Sequence, residues 1–268
     1  MKRKLHNILL TGGAGFIGSN FVHTMLAKQE FEGRIINLDA LTYAGNLDKL
    51  KGLPEELDGD RYFFEQADIC DKEKVKTILE KYEIDTVVHM AAESHVDRSI
   101  ESPFDFLRTN VIGTYTLLQC VKEYWGERKD VLFHHVSTDE VYGSLGDTGY
   151  FEESTAYDPR SPYSASKASS DHFVRAYFHT YSVPVTLSNC SNNYGPRQDK
   201  EKLIPLMISN MVNKKNLPVY GKGENIRDWI FVDDHNEGLW AILNKGKLGE
   251  TYNLGGNNEV KNIDMVHL

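Results

Sequence analysis

A doubly wound α/β fold, with helices on both faces of a parallel sheet, is the architecture this sequence predicts, on three observations. Short apolar runs recur along the first 190 residues, longer stretches with apolar residues at helical spacing separate them, and a glycine triplet sits where the first run meets the first helical stretch. Strands joined by crossover helices must pair in parallel, which buries both faces of the sheet.

The elements follow in order. Asn7 to Thr11 reads as the first strand. The basic start before it imitates a signal peptide, but the apolar run is too short and no small-residue cleavage site follows. Phe16 to Gln29 carries the first helical pattern, Arg34 to Asp39 the second strand and Tyr62 to Gln66 the third. Asp71 to Tyr82 is helical, Thr86 to Met90 the fourth strand, Asn110 to Tyr124 helical and Val131 to Ser137 the fifth strand. A long helical pattern opens at Ser161-Pro162-Tyr163, and Val185 to Asn189 is the sixth strand.

Beyond that strand the texture changes. Asn192-Asn193-Tyr194-Gly195-Pro196 is turn chemistry, Leu203 to Asn213 looks helical, and Leu217 to Gly221 reads as a short strand and turn. The expected organisation is a dinucleotide-binding domain over residues 1–190 and a smaller, interleaved substrate lobe over 191–268. Asn262 to Leu268 looks like the opening of a helix, so that lobe is expected to be incomplete.

With 268 residues, 40% hydrophobic and 26% charged, the chain buries a sizeable core. Its net charge of -9 argues against nucleic acid or an anionic membrane as partner. No run approaches about 18 apolar residues, so no membrane span is expected. Cys70, Cys120 and Cys190 are odd in number and scattered, which fits reduced core thiols in a cytoplasmic protein and no disulfide framework. No metal-ligand spacing occurs among the histidines, and His134-His135 in a strand reads as packing.

The glycines are Gly12, Gly15 and Gly18, in T-G-G-A-G-F-I-G. Gly12 permits the tight turn, Gly15 lets backbone approach a pyrophosphate, and Gly18 allows close packing of the helix, whose N-terminal Phe16 and Ile17 present its positive end. Asp39 follows about 20 residues on, at the end of the second strand. This is the context of a Rossmann-like dinucleotide fingerprint, and an acid there bonds a ribose 2′-hydroxyl and repels a 2′-phosphate, so NAD is favoured over NADP. Ligands in such sheets bind beyond the carboxyl ends of the strands, which places Asp68 and Ile69 near the adenine and Ala91, Ala92 and Ser94 along the cofactor.

Two further patterns carry chemistry. Tyr163 and Lys167 lie four apart, on one helix face, where a neighbouring ammonium and a positive nicotinamide ring stabilise a tyrosine phenolate. Asp139 and Glu140 follow the fifth strand back to back in V-S-T-D-E-V-Y-G. They either open the next helix, where first-turn acids are favourable, or form an acid and base pair if the strand ends there and turns both into one site. Close carboxylates do not both ionise cheaply, so one stays protonated, and spacing alone does not say which.

Taken together, the glycine fingerprint and Y-x-x-x-K resemble the extended short-chain dehydrogenase/reductase family. Within it, S-T-D-E-V-Y-G, A-A-E-S-H-V-D-R-S-I, S-P-Y-S-A-S-K-A-S-S-D-H, N-N-Y-G-P and R-D-W-I-F-V-D-D-H are similar, in order over essentially the whole chain, to the nucleotide-sugar 4,6-dehydratases. The resemblance implies NAD as cofactor and dTDP-glucose as substrate, in deoxysugar (dTDP-rhamnose type) biosynthesis. It implies that Tyr163 takes the proton of the sugar 4-hydroxyl as hydride leaves carbon 4, that Glu140 removes the carbon 5 proton, and that a protonated Asp139 donates to the departing 6-hydroxyl. Thr138 then bonds the 4-hydroxyl, Lys167 also holds the nicotinamide ribose, and Thr109 joins the cofactor contacts.

For the substrate the resemblance implies Ser94, Thr138, Asn192, Lys202, Leu203, Pro218, Tyr220, Arg227 and Asn262, with Lys202 and Arg227 as counter-charges for a diphosphate. It also implies a homodimer paired through helices like Asp105 to Tyr124 and Tyr163 to Tyr181. One departure is the loop Arg197-Gln198-Asp199-Lys200, more charged than the aromatic, proline-containing loop usual in the family. Two rival readings are a 4-epimerase or decarboxylase of the same fold and a non-catalytic dinucleotide-binding module. The epimerase needs neither Asp139 nor Glu140, and a module needs none of the five chemical residues.

Overall fold

The computed structural model describes Arg3 and residues 5–145, 149–219 and 221–268. In its first half β1 (Asn7–Thr11), α1 (Phe16–Ala27), β2 (Arg34–Asp39), β3 (Tyr62–Gln66), α2 (Lys72–Lys81) and β4 (Thr86–His89) follow one another. Next come α3 (Val96–Glu101), α4 (Pro103–Phe106), a π-helical turn over Leu107–Gly113, α5 (Thr114–Trp125), β5 (Leu132–Thr138), α6 (Pro162–Tyr181) and β6 (Val185–Cys190). The remainder is β7 (Asn192–Tyr194), α7 (Leu203–Val212), β8 (Ile226–Phe231), α8 (Val232–Lys245), β9 (Thr251–Leu254), β10 (Glu259–Lys261) and α9 (Asn262–His267).

Seven strands form one parallel sheet in the order β3-β2-β1-β4-β5-β6-β9, so the expected doubly wound class is borne out. Alternate residues of β1 point to opposite faces, and each face has its own core. Leu9 joins Val75 and Ile78 of α2, Leu117 and Val121 of α5 and Val174 of α6. Ile8 and Leu10 join Phe21 and Met25 of α1 and Leu239 and Leu243 of α8 on the other face. Each such side chain contributes about 1.5–3 kcal/mol by leaving water, which is why the strands read as unbroken apolar runs.

The strand order reverses at β1, with β2 and β3 to one side and β4 onward to the other. A crevice opens there beyond the carboxyl ends of the strands. The later segment adds a three-stranded sheet, β10-β8-β7, and returns β9 to the main sheet beside β6.

Three expectations changed. Asn192–Tyr194, expected as a turn, is a strand, because β8 offers it a parallel ladder; the turn begins one residue later, at Gly195 with φ of 141°. Leu217 to Val219, expected as a strand, has no regular structure, since both edges of β8 are already taken by β7 and β10; Tyr220 lies outside the described residues. The pattern from Asn110 is not α-helical until Thr114. Gly113 packs against Ile69, where a Cβ would come within 2.4 Å of the isoleucine Cδ1, and the wide turn carries Asn110 inward. Among the described residues no helix is long and apolar enough to cross a membrane.

Candidate active site

The crevice is a cleft of about 710 Å³. One wall is the turn after β1. Gly12 has a φ of 77°, and a Cβ there would sit 2.7 Å from the amide nitrogen of Ala91, so only glycine lets this turn meet the loop after β4. That loop is pinned from behind: the Thr11 hydroxyl, held by His89 Nδ1 at 2.7 Å, accepts from the amides of Met90 and Ala91 at 3.2 Å each. Asp39 is buried and accepts the amide of Ala14 on one oxygen at 2.9 Å and that of Leu41 on the other at 2.8 Å.

A Cβ on Gly15 would touch only the Gly12 carbonyl, at 3.2 Å, and would otherwise fill the space in front of the α1 N-terminus. That space, its helix end and the carboxylate of Asp39 at its edge fit a dinucleotide pyrophosphate and ribose. Phe16, Ile17, Gly18, Asp68, Ile69, Ala91, Ala92, Ser94 and Thr109 line the same cleft. Burial works against the Asp68 carboxylate, but the Cys70 amide at 2.8 Å and Arg108 at 2.6 Å bring its pKa below the usual range.

The second wall holds the two adjacent acids. β5 ends at Thr138, and Asp139–Tyr142 form a 3₁₀ turn. The Thr138 hydroxyl caps that turn, accepting the Glu140 amide at 3.2 Å and donating to Asp139 Oδ1 at 3.2 Å. Both acids thus open a helical turn and line the cleft. α6 starts opposite, with a reciprocal cap between Ser161 and Ser164, each side chain accepting the other's amide at 3.0 and 2.9 Å, and with Pro162 in its first turn. That cap fixes Tyr163 in the first turn and Lys167 one turn on, both lining the cleft.

Electrostatically, the centre favours neutral forms. Burial, and then the charge of Glu140, push Asp139 up to about 6. Burial raises Glu140 as well, against the pull of Arg227 and Lys202. Burial and then Glu140 hold the Tyr163 pKa well above that of a free phenol. Lys167 does not offset this, because its Nζ donates to the Val136 carbonyl at 2.9 Å and burial lowers its own pKa.

Asn192, Lys202, Leu203, Arg227 and Asn262 border the cleft from the other side. Pro218 is exposed and is not one of the lining residues. The charged loop after β7 ties the two sides together: Asp199 pairs with Lys49, and Arg197 donates to Asn20 of α1 at 2.9 Å. Sequence reasoning missed Gln198 and Asp199 as lining residues, and it missed Asn110, whose amide donates to the Glu93 carbonyl at 3.0 Å and to Ser166 at 2.8 Å. A buried asparagine inside a helical pattern was the available signal for the last. His134 is held between Thr186 at 2.9 Å and Ser188 at 3.1 Å.

Residues 9–268 match the model of a family described as GDP-mannose 4,6 dehydratase. A probable dTDP-glucose 4,6-dehydratase of Sinorhizobium fredii is 54% identical over 266 residues, covering 97% of this chain and 74% of the relative. The dTDP-glucose 4,6-dehydratase of Bacillus anthracis, solved in complex with NAD, superposes with a TM-score of 0.88 at 49% identity, covering 98% of this chain and 79% of that one. That of Streptomyces venezuelae, solved with NAD and a dTDP ligand, gives 0.89 at 45% identity, covering 97% and 79%. Similarity at this level, running from the glycine turn through the acid pair to the last helix, means that the chain belongs to the dTDP-glucose 4,6-dehydratase family.

Proposed function

We propose that this chain converts dTDP-glucose to dTDP-4-keto-6-deoxyglucose and water. The observation that carries this reading is the convergence of Asp139, Glu140, Tyr163 and Lys167 on the cleft that also holds the dinucleotide cradle. NAD in that cradle supplies the acceptor for the carbon 4 hydride and gives the same hydride back to carbon 6. Tyr163 takes the 4-hydroxyl proton, with Thr138 bonding the same oxygen, and the resulting ketone acidifies the proton on carbon 5. Glu140 removes that proton, the bond from carbon 6 to its oxygen breaks, and Asp139 gives its own proton to the leaving hydroxyl. Glu140 returns a proton to carbon 5 at the end.

Lys202 and Arg227 are the cations that face the glutamate side of the cleft, which suits a diphosphate, and the segment after β6 supplies the nucleotide-sugar wall. A homodimer is supported by the apolar side chains exposed along α3 to α6, including Ile100, Phe104, Leu107, Tyr115 and Phe173. An epimerase has no use for a second and third proton-transfer group at this point, so the acid pair favours the dehydratase.

The test is mass spectrometry of dTDP-glucose incubated with the protein and NAD in heavy water. Loss of one water with deuterium gained at carbon 5 is the expected result. Carbon 4 epimerisation without loss of water would overturn the reading.

A further inference from the structure

Along α6, Tyr163, Lys167, Asp171 and Arg175 recur every fourth residue, forming a stripe in which a cation, an anion and a cation follow the tyrosine. Only the first two line the cleft. Asp171 is fully buried behind them. One of its oxygens, Oδ2, accepts the hydroxyls of Ser137 and Tyr157, both at 2.9 Å. The other, Oδ1, lies 3.2 Å from His135 Nε2.

His135 does not answer that negative charge. The Ser170 hydroxyl donates to the Lys167 carbonyl at 2.7 Å, so His135 Nε2, 3.3 Å from the same oxygen, carries its proton toward Ser170 and Asp171. Burial, and then Lys167, keep the imidazole neutral. Lys167 is itself buried, with its Nζ on a backbone carbonyl, and among the described residues Asp171, one turn along the same face of α6, is the one carboxylate whose charge acts on it; the other facing group, Cys190 of β6, is kept a thiol by burial. A buried ammonium with no anion nearby gives up its proton instead of persisting.

We propose that Asp171 is a positioning residue of this reaction: its carboxylate is the buried counter-charge that keeps Lys167 an ammonium behind Tyr163. Its anchoring holds the carboxylate in place. Ser137 directly precedes Thr138, so the strand end that presents the acid pair also orients Asp171. Tyr157 is held in turn by Arg175 at 2.9 Å and Asn189 at 3.3 Å, and Arg175 reaches Thr251 of β9 at 3.1 Å. Burial pushes Asp171 up to about 6, against Lys167, Ser137, Tyr157 and Arg175, so the counter-charge is weakest where the solution turns acidic.

This inference rests on the proposed reaction for its kinetic consequence but not for its physical one. Asp171→Asn keeps the shape and can still accept from Ser137 and Tyr157 while losing the charge. NMR titration of isotope-labelled lysine side chains, with the Lys167 signal identified by its loss in Lys167→Met, reads the ammonium directly. The Lys167 pKa is expected to fall by about one unit or more in Asp171→Asn. In parallel, kcat is expected to drop about tenfold or more, with KM for dTDP-glucose within about twofold and the alkaline limb of the kcat profile displaced downward by about one unit. An unmoved Lys167 titration overturns the inference, whatever the activity. Absence of turnover by the unmodified protein would instead count against the proposed reaction, and the titration would still decide the role of Asp171. If Asp171→Asn does not fold, Tyr157→Phe removes one of its two hydroxyl donors: a downward shift of Lys167 in acid supports the inference and an unchanged titration overturns it.

Discussion

Replacing Glu140 with glutamine should divide the reaction in two. The change is isosteric and leaves the backbone amide on the Thr138 hydroxyl. Glu140 is the leading charge acting on both Asp139 and Tyr163, and it raises both. Without it Tyr163 ionises more readily, so oxidation at carbon 4 survives. Elimination loses twice. The base itself is gone, typically a factor of about 10²–10⁴, or roughly 3–5 kcal/mol. Part of the upward shift of Asp139, in all about two units or on the order of 3 kcal/mol, disappears with the neighbouring charge, so less of the acid is protonated near neutrality. Stopped-flow absorbance of reduced nicotinamide after mixing with dTDP-glucose should show NADH forming and accumulating, with dehydrated product slowed about a hundredfold or more. Turnover at the unmodified rate would refute the assignment of Glu140, and loss of NADH formation would refute the separation of the two halves.

Three other outcomes are expected. Asp139→Asn should stabilise the protein at about pH 8 by up to about 3 kcal/mol and by nearly nothing at about pH 4. The sign follows because a carboxyl whose folded pKa lies above its unfolded one weakens the fold above both values and is harmless below both; denaturant melts giving equal gains at the two pH values would contradict this. Gly18→Ala should cost about 1–3 kcal/mol and weaken NAD binding, since its Cβ would meet the Gly12 carbonyl at 2.3 Å and the Gly13 Cα at 2.7 Å, both backbone; thermal melts with and without NAD would show it. Lys49→Ala, which frees Asp199, should speed release of NADH, followed by its fluorescence, and the exchanged pair Lys49→Asp with Asp199→Lys should restore slow release if the ion pair is what ties the loop down.

The central sheet was legible because both of its faces are buried, which turns strands such as β1 and β5 into apolar runs that a pattern can find. The glycine turn was legible because its demands are steric and local, as at Gly12. What was not legible depends on pairing that sequence spacing does not carry. Asn192–Tyr194 has turn composition and becomes a strand only because β8 arrives about 35 residues later in the chain to pair with it. Asn110 is an ordinary polar residue until a π-helical turn carries it to Glu93 and Ser166. The surroundings of Tyr163 were not legible for a related reason: spacing places Lys167 one turn away but does not show its Nζ on the Val136 carbonyl or the burial that raises the phenol.

The two acids, whose division of labour spacing left open, share one set of surroundings. Asp139 is acted on by two carboxylates, Glu140 and Asp228, which raise it, and by Arg227 and the Thr138 hydroxyl, which lower it. Glu140 is acted on by two cations, Arg227 and Lys202, both lowering it. Burial raises both acids and Arg227 pulls on both, so they form one coupled pair competing for a proton. The two cations come from the segment after β6, and the cradle comes from the segment before it. A diphosphate drawing Lys202 and Arg227 to itself would weaken their hold on Glu140 and make it a stronger base, while a positive ring beside Tyr163 would lower the phenol that burial holds high. The protonation pattern needed for oxidation and elimination is therefore set jointly by burial in the protein and by the two ligands.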